Sequence, residues 1–126
     1  MGAAAVMYDG KPLGTPDSGE YWRLIAKYRA KGVYIAPTAV RAIKKDDFEG
    51  NFLAKHDLSC LETIYLAGER CDPLTIKWLQ EKVPHARVLD QWWQTETGSP
   101  VSGNSLSHPL PIVAGSASRP CFGWDV

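Results

Sequence analysis

The chain has 126 residues, of which 44% are hydrophobic and 22% charged, and its formal net charge is zero. A chain of this length and composition is typical of one globular domain with a hydrophobic core. The neutral charge balance argues against binding to nucleic acid or to an anionic membrane surface. No apolar run approaches the roughly 20 residues that span a bilayer.

The cysteine pattern indicates a reduced, intracellular protein. Cys60, Cys71 and Cys121 are widely spaced, odd in number and outside any C-x-x-C motif. Neither a disulfide framework nor a zinc site is therefore predicted. The three histidines are likewise isolated from one another, and the N-terminal stretch lacks the basic start and long apolar run of a secretory signal.

The first predicted elements are a strand and a helix. Residues 3–8 form a short apolar run that ends at a turn pair, which predicts a buried strand. A helix is expected to begin near Asp17 or Ser18, because Asp17 and Glu20 have the spacing of a capping box. Gly32 is expected to end this helix. Helical spacing predicts a buried face made of Tyr21, Leu24, Ile25 and Tyr28.

Strands and helices alternate through the rest of the chain up to residue 98. Strands are predicted at residues 33–36, 61–68 and 86–93, and helices at residues 38–47 and 73–83. The last helix has a clear start, because Asp72 is a good N-cap and Pro73 suits the first helical position. This alternation predicts an α/β fold with βαβ units and a mainly parallel sheet. The core is expected to span residues 1–98, followed by a partly extended tail at 99–126 that is rich in Gly, Ser and Pro.

A ligand site is expected at the carboxyl ends of the predicted strands, because parallel α/β sheets bind ligands there. Three segments lie at these ends, namely APT at 36–38, GERC at 68–71 and WQTETG at 93–98. Residue types alone leave their roles open. The predicted sheet therefore locates a candidate site without naming its ligand.

Each segment has two interpretations. Trp92 and Trp93 either cap the core, which is the commoner role of large aromatic residues, or line a pocket. The polar run 95–97 either forms a solvated turn or binds phosphate, with Glu96 as a hard oxygen ligand for Mg²⁺. Gly68 and Glu69 form either an ordinary loop or a place where the backbone can approach a flat ligand.

Five stretches of the chain resemble, in order, segments of the acyl-CoA synthetases that form acyl-adenylates. They are AAAVMYDGKP, APTAVRAI, AGERCDP, LDQWWQTETGSP and AGSASRPCFGWDV. The similarity is greatest to the short-chain branch, the acetyl- and propionyl-CoA synthetases, and W-W-Q-T-E-T-G is its most specific part. On this resemblance, residues 1–126 are identified as part of an AMP-binding domain, a slice of the large N-terminal domain of an adenylate-forming enzyme.

The resemblance implies roles for particular residues. Gly68, Glu69 and Arg70 match the segment along the adenine, although acetyl-type members usually have Pro at the position of Arg70. Thr95 matches the contact to the α-phosphate and Glu96 the Mg²⁺ ligand, which makes these two the candidate catalytic residues. Trp93 matches the wall of the acyl pocket, to which Ala67 also belongs. The stretch that surrounds AMP matches Asp90, Gln91, Trp92, Trp93, Gln94 and Thr95.

The resemblance also implies the reaction and its partners. A short-chain carboxylate attacks the α-phosphate of ATP to give an acyl-adenylate, and coenzyme A then displaces AMP. Acetyl-type relatives carry Val where this chain has Ala67, so propionate is expected ahead of acetate. One methylene in such a pocket changes the discrimination between two substrates by only about 1–3 kcal/mol. Animal relatives of the propionyl type are mitochondrial, so the mitochondrial matrix is the expected location.

Several family elements have no match in these 126 residues. They are the phosphate loop, the ribose-binding Asp and the C-terminal domain with its adenylation lysine, and the family's coenzyme A-binding Asn falls at about Leu13. The fragment alone is therefore expected to be inactive and to need the rest of a parent enzyme chain. The alternative is a non-catalytic module that binds a nucleotide or a partner protein. A free-standing flavodoxin-like domain is ranked last, because the loop after the first predicted strand lacks Ser/Thr density.

Overall fold

A computed structural model describes residues 2–11, 13, 15–107 and 109–126 of the chain. Its elements in chain order are α1 (Glu20–Tyr28), β1 (Gly32–Ile35), α2 (Pro37–Asp46), a 3₁₀ turn (Leu53–Lys55), β2 (Thr63–Leu66), α3 (Pro73–Lys82), β3 (Arg87–Asp90), β4 (Ser102–Gly103) and β5 (Arg119–Pro120). No helix among the described residues is long and apolar enough to span a bilayer.

Three strands form a parallel sheet in the order β1-β2-β3. Val33 lies beside Ile64, which lies beside Val88. These β-branched residues suit a pleated, half-buried surface. The predicted α/β fold with a parallel sheet is confirmed. Strands β2 and β3 are shorter than the sequence pattern predicted, whereas β1 has the predicted length and begins one residue earlier.

The core lies between the sheet and the two crossover helices. In α2 the buried residues Val40 and Ile43 are three positions apart, and in α3 Ile76 and Leu79 have the same spacing. Such residues share one helix face. Because α2 and α3 contact each other, both helices cover the same face of the sheet. Val88 packs in the same buried cluster.

The two crossover helices begin in different ways. Asp72 caps α3, because its Oδ1 accepts a 2.9 Å hydrogen bond from the amide of Thr75, and Pro73 follows as predicted. Helix α2 begins with Pro37 after Ala36, whose side chain cannot accept a hydrogen bond. The first amides of α2 therefore need an acceptor from elsewhere in the fold.

The predicted strand at residues 3–8 is not formed. Residues 3–7 are exposed, and Met7 is 92% exposed. A strand needs a hydrogen-bonded neighbour, and the described residues provide none for this segment. Three of its residues are alanines, which have low strand propensity.

Helix α1 differs from its prediction at both ends. It begins at Glu20 because Asp17 accepts a 2.7 Å hydrogen bond from the amide of Gly19 and so stabilises a turn just before the helix. Glu20 pairs with Arg23 instead of closing a capping box. The helix ends at Tyr28, and Gly32 opens β1. Arg29 takes the left-handed conformation that we expected of a glycine.

The predicted buried face of α1 is only partly right. Ile25 is buried, but Tyr28 is half-exposed and Leu24 and Tyr21 are only partly buried. Trp22 is buried instead. Helical spacing is compatible with either assignment, since Trp22 and Ile25 are also three positions apart.

Candidate functional site

The carboxyl ends of the three parallel strands meet at one edge of the sheet. Ile35, Leu66 and Asp90 lie side by side in register as the last residues of β1, β2 and β3. The segments APT, GERC and WQTETG follow these strands directly or within a few residues. The structure therefore brings the three segments together, as the strand pattern predicted.

Gly68 opens the segment after β2 in a conformation that favours glycine. Its φ is +96°, and apart from its two chain neighbours no atom of the described residues lies within 4 Å of the position that a Cβ would occupy. Gly68 and Arg70 are exposed, and Ala67 is partly buried. The constraint on Gly68 is therefore its backbone angle and not a crowded neighbour.

Glu69 supplies the acceptor that the start of α2 lacks. Its Oε1 accepts a 2.7 Å hydrogen bond from the amide of Thr38 and a second one from the Thr38 hydroxyl. Its Oε2 accepts a 2.7 Å hydrogen bond from Nη2 of Arg41. The bond from the Thr38 hydroxyl, followed by that from Arg41, lowers the pKa of Glu69 below its ordinary value. Glu69 is therefore held as a carboxylate against α2.

Asp90 is a buried carboxyl group at the end of β3. Burial raises the pKa of Asp90, while hydrogen bonds from the amides of Cys71 and Gln91 act in the opposite direction. The next residue, Gln91, donates its amide to the carbonyl of Leu66 at 2.9 Å. The Gln91 amide therefore joins the ends of β2 and β3, and the Asp90 carboxyl lies near the backbone of Cys71 in the loop before α3.

An aromatic pair covers the sheet beside Gln91. The rings of Tyr34 and Tyr65 stack with centroids 4.7 Å apart and an interplanar angle of 11°. The hydroxyl of Tyr34 donates to Oε1 of Gln91 at 3.1 Å. Gln91 is thus oriented by a residue of β1, two strands away.

Trp92 and Trp93 do not pack in the core, so the interpretation that we favoured from their size is wrong. Their side chains are 51% and 40% exposed, respectively. Trp92 lies beyond β3 and forms an antiparallel bridge with Ser102, to whose carbonyl its amide donates at 3.0 Å. This bridge fixes the backbone and leaves both indole rings at the surface.

Residues 94–98 form a hydrogen-bonded turn. The Thr97 hydroxyl donates to the carbonyl of Gln94 at 2.8 Å, and the amide of Gly98 donates to the carbonyl of Thr95 at 3.2 Å. Gly98 has a φ of +65°. Thr95 and Glu96 are both exposed on this turn. The turn interpretation is correct, and it leaves these two side chains accessible to a ligand.

The oxygen groups of the turn suit Mg²⁺ only together with a ligand. Among the described residues, no three His, Cys, Asp or Glu side chains lie close enough to hold a metal ion by themselves. Glu96 provides one hard carboxylate ligand, and Mg²⁺ commonly takes one or two carboxylates plus phosphate oxygens and waters. The donor set therefore fits a metal that arrives with a nucleotide.

Sequence reasoning placed Thr38 at the ligand edge without giving it a role, and it did not assign Arg41 or Tyr34 to the site. Thr38 and Arg41 are three positions apart at the start of a predicted helix, which places them on one face of its first turns. This spacing, next to the predicted ligand edge, could have indicated that the two side chains act together at the site. The pairing of Tyr34 with Gln91 has no local signal, because 57 positions separate the two residues.

Comparisons with known proteins identify the family. A family model described as AMP-binding enzyme matches residues 1–126. The chain is 41% identical over 131 residues to the mitochondrial acyl-CoA synthetase short-chain family member 3 of Bos taurus, with coverage of 99% of this chain and 18% of the relative. It is 39% identical over 128 residues to the propionate–CoA ligase of Salmonella typhimurium, with coverage of 99% and 19%.

The fold is also found in a solved structure. The anthranilate CoA ligase AuaEII in complex with anthranoyl-AMP matches with a TM-score of 0.78 and 22% identity, over 97% of this chain and 22% of that chain. At this identity the match shows the fold alone. The chain spans about a fifth of the length of the curated relatives that it matches.

Proposed function

Because the chain belongs to the AMP-binding enzyme family, we propose that it is part of an AMP-forming acyl-CoA synthetase for short-chain carboxylates. The observation that carries this proposal is the meeting of three segments at the ends of β1, β2 and β3. All three segments resemble segments of such enzymes, and the resemblance implies nucleotide contacts for the two that follow β2 and β3. The order of the segments along the chain does not require this, whereas the sheet register makes the ends of the three strands neighbours.

The proposed reaction has two steps. A carboxylate oxygen of the substrate attacks the α-phosphorus of ATP, the bond from that phosphorus to the bridging oxygen breaks, and pyrophosphate leaves. The sulfur of coenzyme A then attacks the acyl carbon, its proton is lost, and AMP leaves with the former carboxylate oxygen. Both steps develop negative charge beside the α-phosphate, so hydrogen-bond donors and cations there lower the barrier.

The site residues take the following proposed roles. The exposed hydroxyl of Thr95 donates to the α-phosphate, and the exposed carboxylate of Glu96 binds Mg²⁺, which would neutralise phosphate charge when bound. The backbone at Gly68, Glu69 and Arg70 lies along the adenine. Residues 90–95 surround AMP, and the exposure of both tryptophans leaves their rings available for this contact.

The acyl pocket is proposed to include Ala67 and Trp93. Ala67 is smaller than the Val of acetyl-type relatives, so we propose propionate as the preferred substrate and acetate as the next. The name of the Salmonella relative, propionate–CoA ligase, supports this choice. The name of the bovine relative supports the mitochondrial matrix as location, although the bacterial relative matches nearly as well.

We further propose that residues 1–98 form the site-bearing core and 99–126 a tail that supports it. The bridge from Trp92 to Ser102 and the pairing of β4 with β5 tie the tail to the end of β3. The rest of the parent enzyme chain would supply the phosphate loop and the adenylation lysine. The 126 residues alone are therefore expected to be inactive.

The proposal is tested with the full gene product that contains residues 1–126. Carboxylate-dependent exchange between ATP and pyrophosphate measures the first step, and AMP release with coenzyme A measures the second. The expected result is activity with propionate, with a kcat/KM for propionate above those for acetate and butyrate. Nucleotide binding without exchange would instead support the non-catalytic module.

Two substitutions test the assigned residues. Glu96→Gln is expected to lower kcat about 100-fold or more, because it removes a charge beside the reacting phosphate. Glu49→Gln is the matched control, since Glu49 is also an exposed glutamate but lies in the turn after α2. Ala67→Val is expected to shift the preference towards acetate by about 10-fold, within the range for one methylene. An unchanged preference between propionate and acetate would show that Ala67 does not line the acyl pocket.

A further inference from the structure

The carboxylate of Glu69 is fully engaged within the protein, although the residue lies in the segment proposed to contact adenine. Both of its oxygens accept hydrogen bonds, one from Thr38 and the other from Arg41. Donors from two residues surround it, and its side chain remains 38% exposed. A carboxylate held in this way has little capacity left to accept a hydrogen bond from a ligand.

Arg41 contacts both ends of the segment that follows Gly68. Its Nη2 donates to Glu69, and its Nη1 lies 3.7 Å from Oδ2 of Asp72. Nη2 also donates to the Thr38 hydroxyl at 2.9 Å, so the hydroxyl is oriented as well. One guanidinium therefore links the first turn of α2 to both ends of residues 69–72. A planar group with fixed donors suits this role better than a flexible ammonium.

This arrangement turns the Glu69 side chain towards α2 and leaves the backbone beside Gly68 open. In the part of the chain that the structure describes, no atom beyond its two chain neighbours lies within 4 Å of the Cβ position of Gly68, and Gly68 and Arg70 are exposed. Backbone groups at such a place can approach a flat ring closely. A small displacement of this backbone would weaken the contact without removing any group that touches the ligand.

We propose that Arg41 and Thr38 are positioning residues, which hold the backbone of Gly68, Glu69 and Arg70 against the purine by binding the Glu69 carboxylate. Glu69 is then the anchor of this segment and not a nucleotide ligand through its side chain. This inference rests on the proposed nucleotide site. It extends that site to helix α2, whose residues would act only through Glu69.

The kinetic test compares Arg41→Gln, Glu69→Gln and the double variant in the full gene product, by ATP–pyrophosphate exchange. Each single variant is expected to raise the KM for ATP about 10-fold and to change kcat less than about 2-fold, as expected for loss of uniform binding. The double variant is expected to resemble either single variant, because both substitutions break the same interaction. If the two increases in the KM for ATP multiply in the double variant, the proposal is overturned, since Glu69 would then act on the nucleotide independently of Arg41.

Matched controls separate positioning from general stability. Lys31→Gln breaks the exposed ion pair between Lys31 and Glu62, 2.7 Å apart, which precedes β1 and β2 at the opposite edge of the same sheet. It is expected to leave the KM for ATP unchanged. Thr38→Val is expected to raise this KM and Thr38→Ser to restore it, because only serine keeps the hydroxyl. Equal KM values for Thr38→Val and the wild type would contradict the role of Thr38.

Amide hydrogen exchange tests the same inference without nucleotide or activity. In Arg41→Gln, amides of residues 67–71 are expected to exchange at least about 10-fold faster, while those of β3 keep their wild-type rate. Unchanged exchange in residues 67–71 would overturn the positioning role. If the wild type shows no ATP-dependent activity, the proposed function fails, and hydrogen exchange still decides whether Arg41 holds this segment.

Discussion

The conformation of Gly68 predicts a specific loss of stability on substitution with alanine. Its φ of +96° is outside the range that L-residues readily adopt, and this strain costs about 1–2 kcal/mol. Alanine also reduces the entropy of the unfolded chain, which offsets about 0.4–1 kcal/mol. Because no described residue other than the two chain neighbours has an atom within 4 Å of the new Cβ, we add no further steric cost. We expect Gly68→Ala to lower the free energy of unfolding by about 1 kcal/mol.

Gly32 provides the matched control for this substitution. It is not among the described glycines with positive φ, and a Cβ would lie 3.5 Å from the Tyr65 ring, which is an ordinary contact. Gly32→Ala is therefore expected to leave stability unchanged or to raise it by about 0.4–1 kcal/mol. Both variants would be measured by urea unfolding of the same full gene product, with the slope of the transition checked for constancy.

The same pair of variants also connects backbone geometry with binding. If the Gly68 backbone lies along adenine, Gly68→Ala should raise the KM for ATP more than its loss of stability explains, whereas Gly32→Ala should not. Equal unfolding free energies for the two variants would refute the strain argument. A normal KM for Gly68→Ala would refute the proposed contact with adenine and leave the strain argument intact.

Three further predictions follow from single side chains. Asp72→Ala is expected to lower the unfolding free energy by about 1 kcal/mol and Asp72→Asn by much less, because Asn also caps helices; equal losses in urea unfolding would exclude the cap. At pH 8 iodoacetamide should label the partly exposed Cys60 and Cys121 but not Cys71, because Cys71 is buried and burial raises the pKa of its thiol to about 12. Mass spectrometry of the native protein after labelling measures this difference, and rapid labelling of Cys71 would contradict it. Burial raises the pKa of Asp90, so the ionised form of this carboxyl reduces stability above that pKa. Asp90→Asn should therefore raise the Tm at pH 7 but have little effect below about pH 3, where the carboxyl is protonated in both the folded and unfolded states. A lower Tm of this variant at pH 7 would show that the charge is favourable.

Local signals explain the parts of the fold that the sequence predicts well. Asp72 and Pro73 mark the start of α3 because the cap and the first helical residue are neighbours in the chain. The strands β1, β2 and β3 follow from short apolar runs separated by helical patterns. The edge at which their carboxyl ends meet follows from parallel pairing alone, and the structure confirms it.

Features that depend on distant partners could not be predicted in this way. Residues 3–8 are a short apolar run that is typical of a buried strand, but they have no neighbour with which to pair among the described residues. Trp92 and Trp93 are large enough for the core, yet the bridge to Ser102 directs this stretch along the surface. The anchoring of Glu69 by Arg41 joins residues 28 positions apart. The ligand roles of residues 67–70 and 90–96 stay predictions until binding is measured.

The agreement between strand order and chain order has a consequence for how the chain folds. Each pairing in β1-β2-β3 joins strands that are consecutive in the sequence, and the connections run through residues 36–62 and 67–86. Neither pairing has to wait for a distant segment, so the relative contact order of this sheet is low for a parallel arrangement. Because the connection through residues 67–86 is shorter than that through residues 36–62, we expect a nucleus of β2, α3 and β3 to form first and β1 with α2 to add to it. Substitutions in α3 would then slow folding, whereas those in α2 would mainly speed unfolding.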